Sequence, residues 1–160
     1  MINPKFNIFE NARSKITKRQ DAYNYILGGH GVVTLMSPTG VHYTYGIWEP
    51  KRDSFPDDVL FIYVKTVKGW KYAGMLTGDS FRITKASQFG YNTPEYKGIT
   101  YMMNMIKYDQ FWDNTNMKIY HEGVCSVCGR QLTSPKSIKY GIGPKCLKKI
   151  TKVKDIIQPF

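Results

Sequence analysis

The sequence predicts an α+β protein: an antiparallel sheet of about five strands with packed helices, followed by a small module built around cysteines. Three observations carry this expectation. β-Branched and aromatic residues crowd into short runs between positions 31 and 84, divided by Gly- and Pro-bearing turns. Apolar residues at helical spacing flank that region on both sides. All three cysteines, Cys125, Cys128 and Cys146, fall within one short C-terminal stretch.

Taken in order, the first element is a helix over residues 17–27. Thr17 is placed to cap it, Ala22, Tyr23, Ile26 and Leu27 share one face, and Gly28-Gly29 stops it. Residues 31–36 and 41–47 read as a hairpin, because in Ser37-Pro38-Thr39-Gly40 proline pre-sets φ and glycine accepts a positive one. Residues 59–65 and 70–76, joined near Lys68-Gly69, make a second hairpin, and 81–84 a fifth strand. An acidic loop, 49–58, separates the two hairpins. A second helix is expected over 98–108, with Tyr101, Met102, Met105 and Ile106 as a stripe laid on the sheet. Methionines in such a stripe are core filler before they are a binding groove. Phe111, Trp112 and a turn at 113–116 then lead into the cysteine segment. The chain thus divides into a sheet domain, 1–116, and a C-terminal module, 117–160.

Composition narrows the class. The chain has 160 residues, 42% hydrophobic and 14% aromatic, enough for one core with a small appendage. No apolar run is long enough to span a membrane, and residues 1–6 carry no apolar stretch for export, so a cytoplasmic protein is expected. Collagen, coiled coil, mucin, disordered tail and disulfide scaffold are all excluded by composition.

Charge points to a partner. Twenty-three Lys and Arg against twelve Asp and Glu give +11. Residues 117–160 hold nine basic and two acidic residues, +7, whereas residues 1–116 hold fourteen and ten, +4. A basic excess gathered around the cysteines suits a polyanion or an acidic protein surface.

A C-x-x-C pair offers two thiolates to one metal, because its short turn brings both sulfurs to one side. Gly129, directly after Cys128, supplies the positive φ such knuckles need. Pro144 is placed as the first residue of a helix through Leu147 and Ile150, which puts Cys146 in the first turn, where N–H groups stabilise a thiolate. Knuckle plus helix start describes a treble-clef-like zinc finger. Structural zinc takes four ligands. His121 is the best fourth candidate, with His42 and His30 as distant competitors. Position 149 is Lys149, so a four-cysteine site is excluded. A redox dithiol would need a βαβ setting that the sequence lacks, and a disulfide is disfavoured by an odd count and no export signal. Three unrelated buried thiols are the remaining bland reading. Zinc is preferred because glycines, a proline and a histidine all stand where a metal site requires them.

Cys125-x-x-Cys128-Gly129-Arg130-x-Leu132-Thr133-x-Pro135-x-Ser137, followed by Gly141-Ile142-Gly143-Pro144-x-Cys146, resembles a small zinc-finger family of unknown function that is frequent in bacteriophage and prophage proteins. Phe81-Arg82-x-Thr84-Lys85-x-Ser87 and His121-x-Gly123-x-Cys125 resemble segments of phage proteins of similar length. The resemblance implies a phage origin and a zinc module, and the histidine that accompanies such fingers supports His121 as ligand. It carries no established activity.

Arg130, Lys136, Lys139, Lys145, Lys148, Lys149 and Lys152 surround the cysteines, and on a helix starting at Pro144 the last four lie along one side. Such a face follows phosphates, releasing counterions at each contact; the alternative is a solvated helix with Leu147, Ile150 and Val153 turned inward. Tyr43, Tyr45, Trp48, Tyr63, Trp70 and Tyr72, with Lys65, Lys68 and Lys71 among them, offer a second surface on which unpaired bases could stack, though strand alternation must bury about half of them. For catalysis the sequence offers no phosphate-binding glycine loop, no G-x-S-x-G and no H-E-x-x-H, and His121-Glu122 lacks the spacer of zinc deaminases. Asp53, Asp57 and Asp58 read as a solvated loop rather than a nuclease site. The expectation is a non-enzymatic, nucleic-acid-binding zinc-finger protein, with single- or double-stranded targets undecided. The alternative is a phage-encoded interaction protein that binds and modulates a host or defence protein. Neither a membrane nor a small-molecule substrate is expected.

Overall fold

A computed structural model of the chain describes residues 13–51, 55–143 and 145–146. Its seven strands are β1 (Ser14–Lys15), β2 (His30–Met36), β3 (His42–Trp48), β4 (Val59–Thr66), β5 (Gly69–Thr77), β6 (Ser80–Arg82) and β7 (Lys118–His121). They form one sheet in the order β1-β7-β2-β3-β4-β5-β6, antiparallel at every pairing. The helices are α1 (Arg19–Ile26), α2 (Pro94–Lys107), α3 (Asp109–Asn114) and α4 (Pro135–Tyr140).

The α+β class and the β2–β6 meander follow the sequence expectation. In the β2–β3 turn Gly40 takes φ +89°. The Val41 N–H donates to Ser37 Oγ at 3.1 Å, and the Ser37 N–H donates to the Val41 carbonyl at 2.8 Å. In the β4–β5 turn Gly69 takes φ +105°. The expected five strands become seven because β7 inserts beside β2, pairing Val33 with His121 and Leu35 with Ile119, and β1 then pairs with β7. Both are short strands held by partners far away in the chain, so neither carries a local pattern of its own. β7 lies within the 117–160 portion and is the second strand from one edge of the sheet, between β1 and β2.

Helix boundaries differ in three places. α1 is preceded by Lys18, with no side-chain cap, rather than by Thr17. α2 starts at Pro94, not near Gly98: Thr93 Oγ1 accepts from the Tyr96 N–H at 3.3 Å, and proline fills the first helical position. Asp109–Asn114 form a short helix, α3, that runs into the first two residues of the turn expected at 113–116.

One face of the sheet is the core. Val33, Leu35, Tyr45, Ile47, Ile62, Val64 and Ile119 pack with Ala22, Tyr25 and Ile26 of α1 and with Ile99, Met102, Met105 and Ile106 of α2. The methionine stripe is therefore core. Tyr45 is also buried here, its hydroxyl donating to the Glu95 carbonyl at 3.2 Å. Pleat alternation sends Thr34, Thr44, Trp48, Phe61, Tyr63, Lys65, Trp70 and Tyr72 to the opposite face, with Gly46 opposite Tyr63 and Lys65 opposite Trp70. Among the described residues no helix is long and apolar enough to cross a membrane.

Candidate metal centre

Beyond β7 the chain makes a tight knuckle. The Gly129 N–H donates to the Cys125 carbonyl at 2.9 Å and the Cys125 N–H to the Arg130 carbonyl at 2.8 Å, a reversal that Gly129 closes at φ +75°. Val124 and Gln131 bridge the two arms. α4 follows, with Ser134 Oγ accepting from the Ser137 N–H at 3.2 Å and Gly141 ending it in the left-handed region. Lys145 and Cys146 are helical, while Pro144 and the expected helix through Leu147 and Ile150 lie outside the described residues.

The Sγ atoms of Cys125, Cys128 and Cys146 all lie within 4.8 Å of one another. A tetrahedral ion with metal–sulfur bonds of about 2.3 Å spaces its sulfurs about 3.8 Å apart, so these three fit around one ion. Cys125 and Cys146 are buried and Cys128 is exposed. Burial opposes the Cys125 thiolate, but N–H groups of Gly143, Cys128 and Val127 aimed at its sulfur outweigh that, and its pKa falls below the ordinary thiol value. The Gly143 N–H reaches Cys125 Sγ at 3.2 Å and that of Val127 at 3.4 Å. Cys146 is pushed up to about 11 by burial and by the neighbouring Cys128 and Cys125 sulfurs. One sulfur is prepared as an anion and the others crowd it, which is a cluster that a cation would relieve. The site can therefore bind a metal ion.

His121 does not join this cluster. Its Nδ1 accepts from the Gly123 N–H at 3.1 Å, and its Nε2 donates to the Ile138 carbonyl. Both ring nitrogens are thus engaged, and the ring stacks on Tyr25 with centroids 5.3 Å apart. The sequence reading expects His121 as fourth ligand; in this structure the imidazole ties β7 to α4 and stands outside the three-sulfur group. The competitors stand elsewhere, His30 facing Glu49 at 3.6 Å and His42 bonded through Nδ1 to the Gly40 carbonyl at 3.0 Å. Among the described residues, no His, Asp or Glu completes the three-cysteine group.

The knuckle is seated on the sheet. The Tyr25 hydroxyl donates to the Val124 carbonyl at 2.7 Å, and the His30 N–H to the Ser126 carbonyl at 2.8 Å. A Cβ at Gly28 would lie 2.7 Å from the Ser126 carbonyl oxygen, so only glycine lets α1 end this close. Glu122, buried beside the knuckle, accepts from Thr34 Oγ1 at 2.6 Å and pairs with Arg13 at 2.9 Å. A smaller apolar cluster of Cys125, Leu132 and Cys146, with Val127, Ile138 and Ile142 against it, fills the interior of the module. Tyr25 and Gly143 are the site residues that sequence reasoning missed. The sequence pattern puts Tyr23, not Tyr25, on the inward face of α1, whereas Ala22, Tyr25 and Ile26 are the buried residues, and it reads Gly143 only as part of a helix approach.

Of the basic residues expected to bind nucleic acid, Arg130, Lys139 and Lys145 are exposed around the knuckle. Lys136 lies in α4, and Lys148, Lys149 and Lys152 fall outside the described residues.

Residues 117–151 match a family of unknown function (DUF6011), covering β7, the knuckle, α4 and Cys146. No curated protein and no solved structure matches the chain.

Proposed function

We propose that Cys125, Cys128 and Cys146 hold a structural zinc ion, and that the basic module it stabilises binds nucleic acid without catalysis. The observation that carries the reading is the convergence of three sulfurs, one of them already receiving two N–H groups, in a segment with little apolar interior of its own. Soft thiolates favour zinc over the hard cations, and a small module gains from ligation the stability its core cannot supply. A fourth donor beyond the three sulfurs completes the tetrahedron. Exposed Arg130, Lys139 and Lys145, with Lys136, Lys148, Lys149 and Lys152 nearby in sequence, supply the charge that phosphates require. The likeness of residues 125–146 to fingers frequent in phage and prophage proteins supports a phage setting inside the host cell.

The test is metal analysis of the purified protein followed by oligonucleotide binding across a salt series. One zinc per chain, and an affinity falling linearly in log salt, are the expected results. Binding to no oligonucleotide at low salt would transfer the reading to an acidic host or defence protein as partner. A metal-free folded protein would end the zinc reading.

A further inference from the structure

We infer that the sheet face turned away from α1 and α2 binds single-stranded nucleic acid by stacking unpaired bases on Trp48, Tyr63, Trp70 and Tyr72. This goes beyond the basic module and rests on the nucleic-acid reading above.

These four side chains share the face by register: Tyr63 stands opposite Tyr72, and Gly46, two residues before Trp48, stands opposite Tyr63. The rings form a continuous patch. Trp48 stacks on Tyr63 with centroids 5.2 Å apart, meets Trp70 edge-on at 4.9 Å, and Tyr63 meets Tyr72 at 5.6 Å. The Trp48 indole folds down over Gly46, where an added Cβ would lie 2.2 Å from the ring, so the absent side chain lets it lie on the sheet. Each of the four is half-buried and keeps some surface in solvent, unlike Tyr45, which lies on the core side of β3 and is fully buried.

Large aromatics on the side of a sheet that the helices leave uncovered are costly unless something covers them. Charge selects the occupant. β3, β4 and β5 contain no acidic residue, and the β4–β5 hairpin carries Lys65 on the aromatic face opposite Trp70 and Lys68 at its turn, while Lys71 pairs with Val64 on the other face. Rings to stack on and cations at one end are the two requirements of a single strand, whose bases are free and whose phosphates run alongside. A duplex, with its bases already stacked, cannot use the rings.

The test uses the full zinc-loaded chain with Trp112→Phe as background, so that Trp48 and Trp70 report alone. A fifteen-nucleotide oligo-dT or oligo-U strand should quench their fluorescence, and a duplex of equal length should not. Trp70→Ala should weaken single-strand binding about 5- to 100-fold while duplex binding and zinc content stay unchanged. Single-strand binding with neither quenching nor loss on Trp70→Ala overturns this inference and leaves the basic-module reading standing. No binding of either nucleic acid at low salt removes both. A difference between the DNA and RNA strands assigns which is the target.

Discussion

The Tyr25 hydroxyl donates a 2.7 Å hydrogen bond to the Val124 carbonyl, ninety-nine positions further along the chain. Burial pushes the Tyr25 phenol well above its ordinary pKa, so it remains a donor throughout the working pH range. The same ring stacks on His121, whose Nε2 reaches Ile138 in α4. One side chain of α1 thus supports both arms of the cysteine segment. Tyr25→Phe leaves the ring but strands a buried carbonyl, which costs about 1–3 kcal/mol. Chemical denaturation should show that loss, together with faster metal release to a chelator. Unchanged values for both would mean that the segment is held by other contacts.

Gly141 and Gly40 offer a matched comparison. Gly141 ends α4 at φ +69°, and a Cβ there would lie 2.7 Å from Tyr25 Cδ2. Gly40 has φ +89° with nothing within 4 Å of the same position. Gly40→Ala therefore costs only the backbone preference, about 1 kcal/mol, whereas Gly141→Ala adds a clash with a core ring and should cost about 3 kcal/mol. Equal thermal shifts for the two variants would contradict the close packing of Gly141 on Tyr25.

Metal removal should be local. The sheet has its own core on α1 and α2, while the cysteine segment has only a small one. Stripping the metal, or replacing Cys146 by Ser, should leave far-UV signal from the sheet and slow amide exchange in β2–β4. Protection across residues 123–143 should be lost. Simultaneous loss of protection in the sheet would show one cooperative unit instead.

The pH dependence follows from His121. Burial lowers its pKa below the ordinary 6.5, outweighing the Ile138 carbonyl and Glu122, which act the other way. The unfolded chain therefore takes up this proton first as pH falls, and the stability present above about pH 6.5 declines below it. Thiol protonation also acts in acid, so the measurement is a difference between wild type and His121→Gln. The variant should lose less stability than wild type between pH 7.5 and 5.5. His121→Gln should also retain any metal held by the three cysteines, since the imidazole is committed to Gly123 and Ile138. Loss of the metal from a folded variant would make His121 a ligand.

Several features were legible because they rest on neighbours in the chain. The β2–β3 turn needs only Ser37 and Gly40, the knuckle only Cys125, Cys128 and Gly129, and the Met102–Met105 stripe only helical spacing. The start of α2 was legible too, in Thr93-Pro94, but expecting the helix from Gly98 passed over it.

Sequence by itself determined the α+β class, the hairpins and the set of three sulfurs, since local backbone preference and side-chain periodicity act within a few residues. Only the tertiary structure decided where β1 and β7 pair, because antiparallel pairing between Val33 and His121 depends on which edge is vacant after the meander has formed. It also set the direction of the His121 ring. A histidine four residues before a cysteine has the right chemistry for a ligand, but the ring's direction is set by β7's register in the sheet. That register turns it toward Tyr25 and Ile138, where both nitrogens find partners.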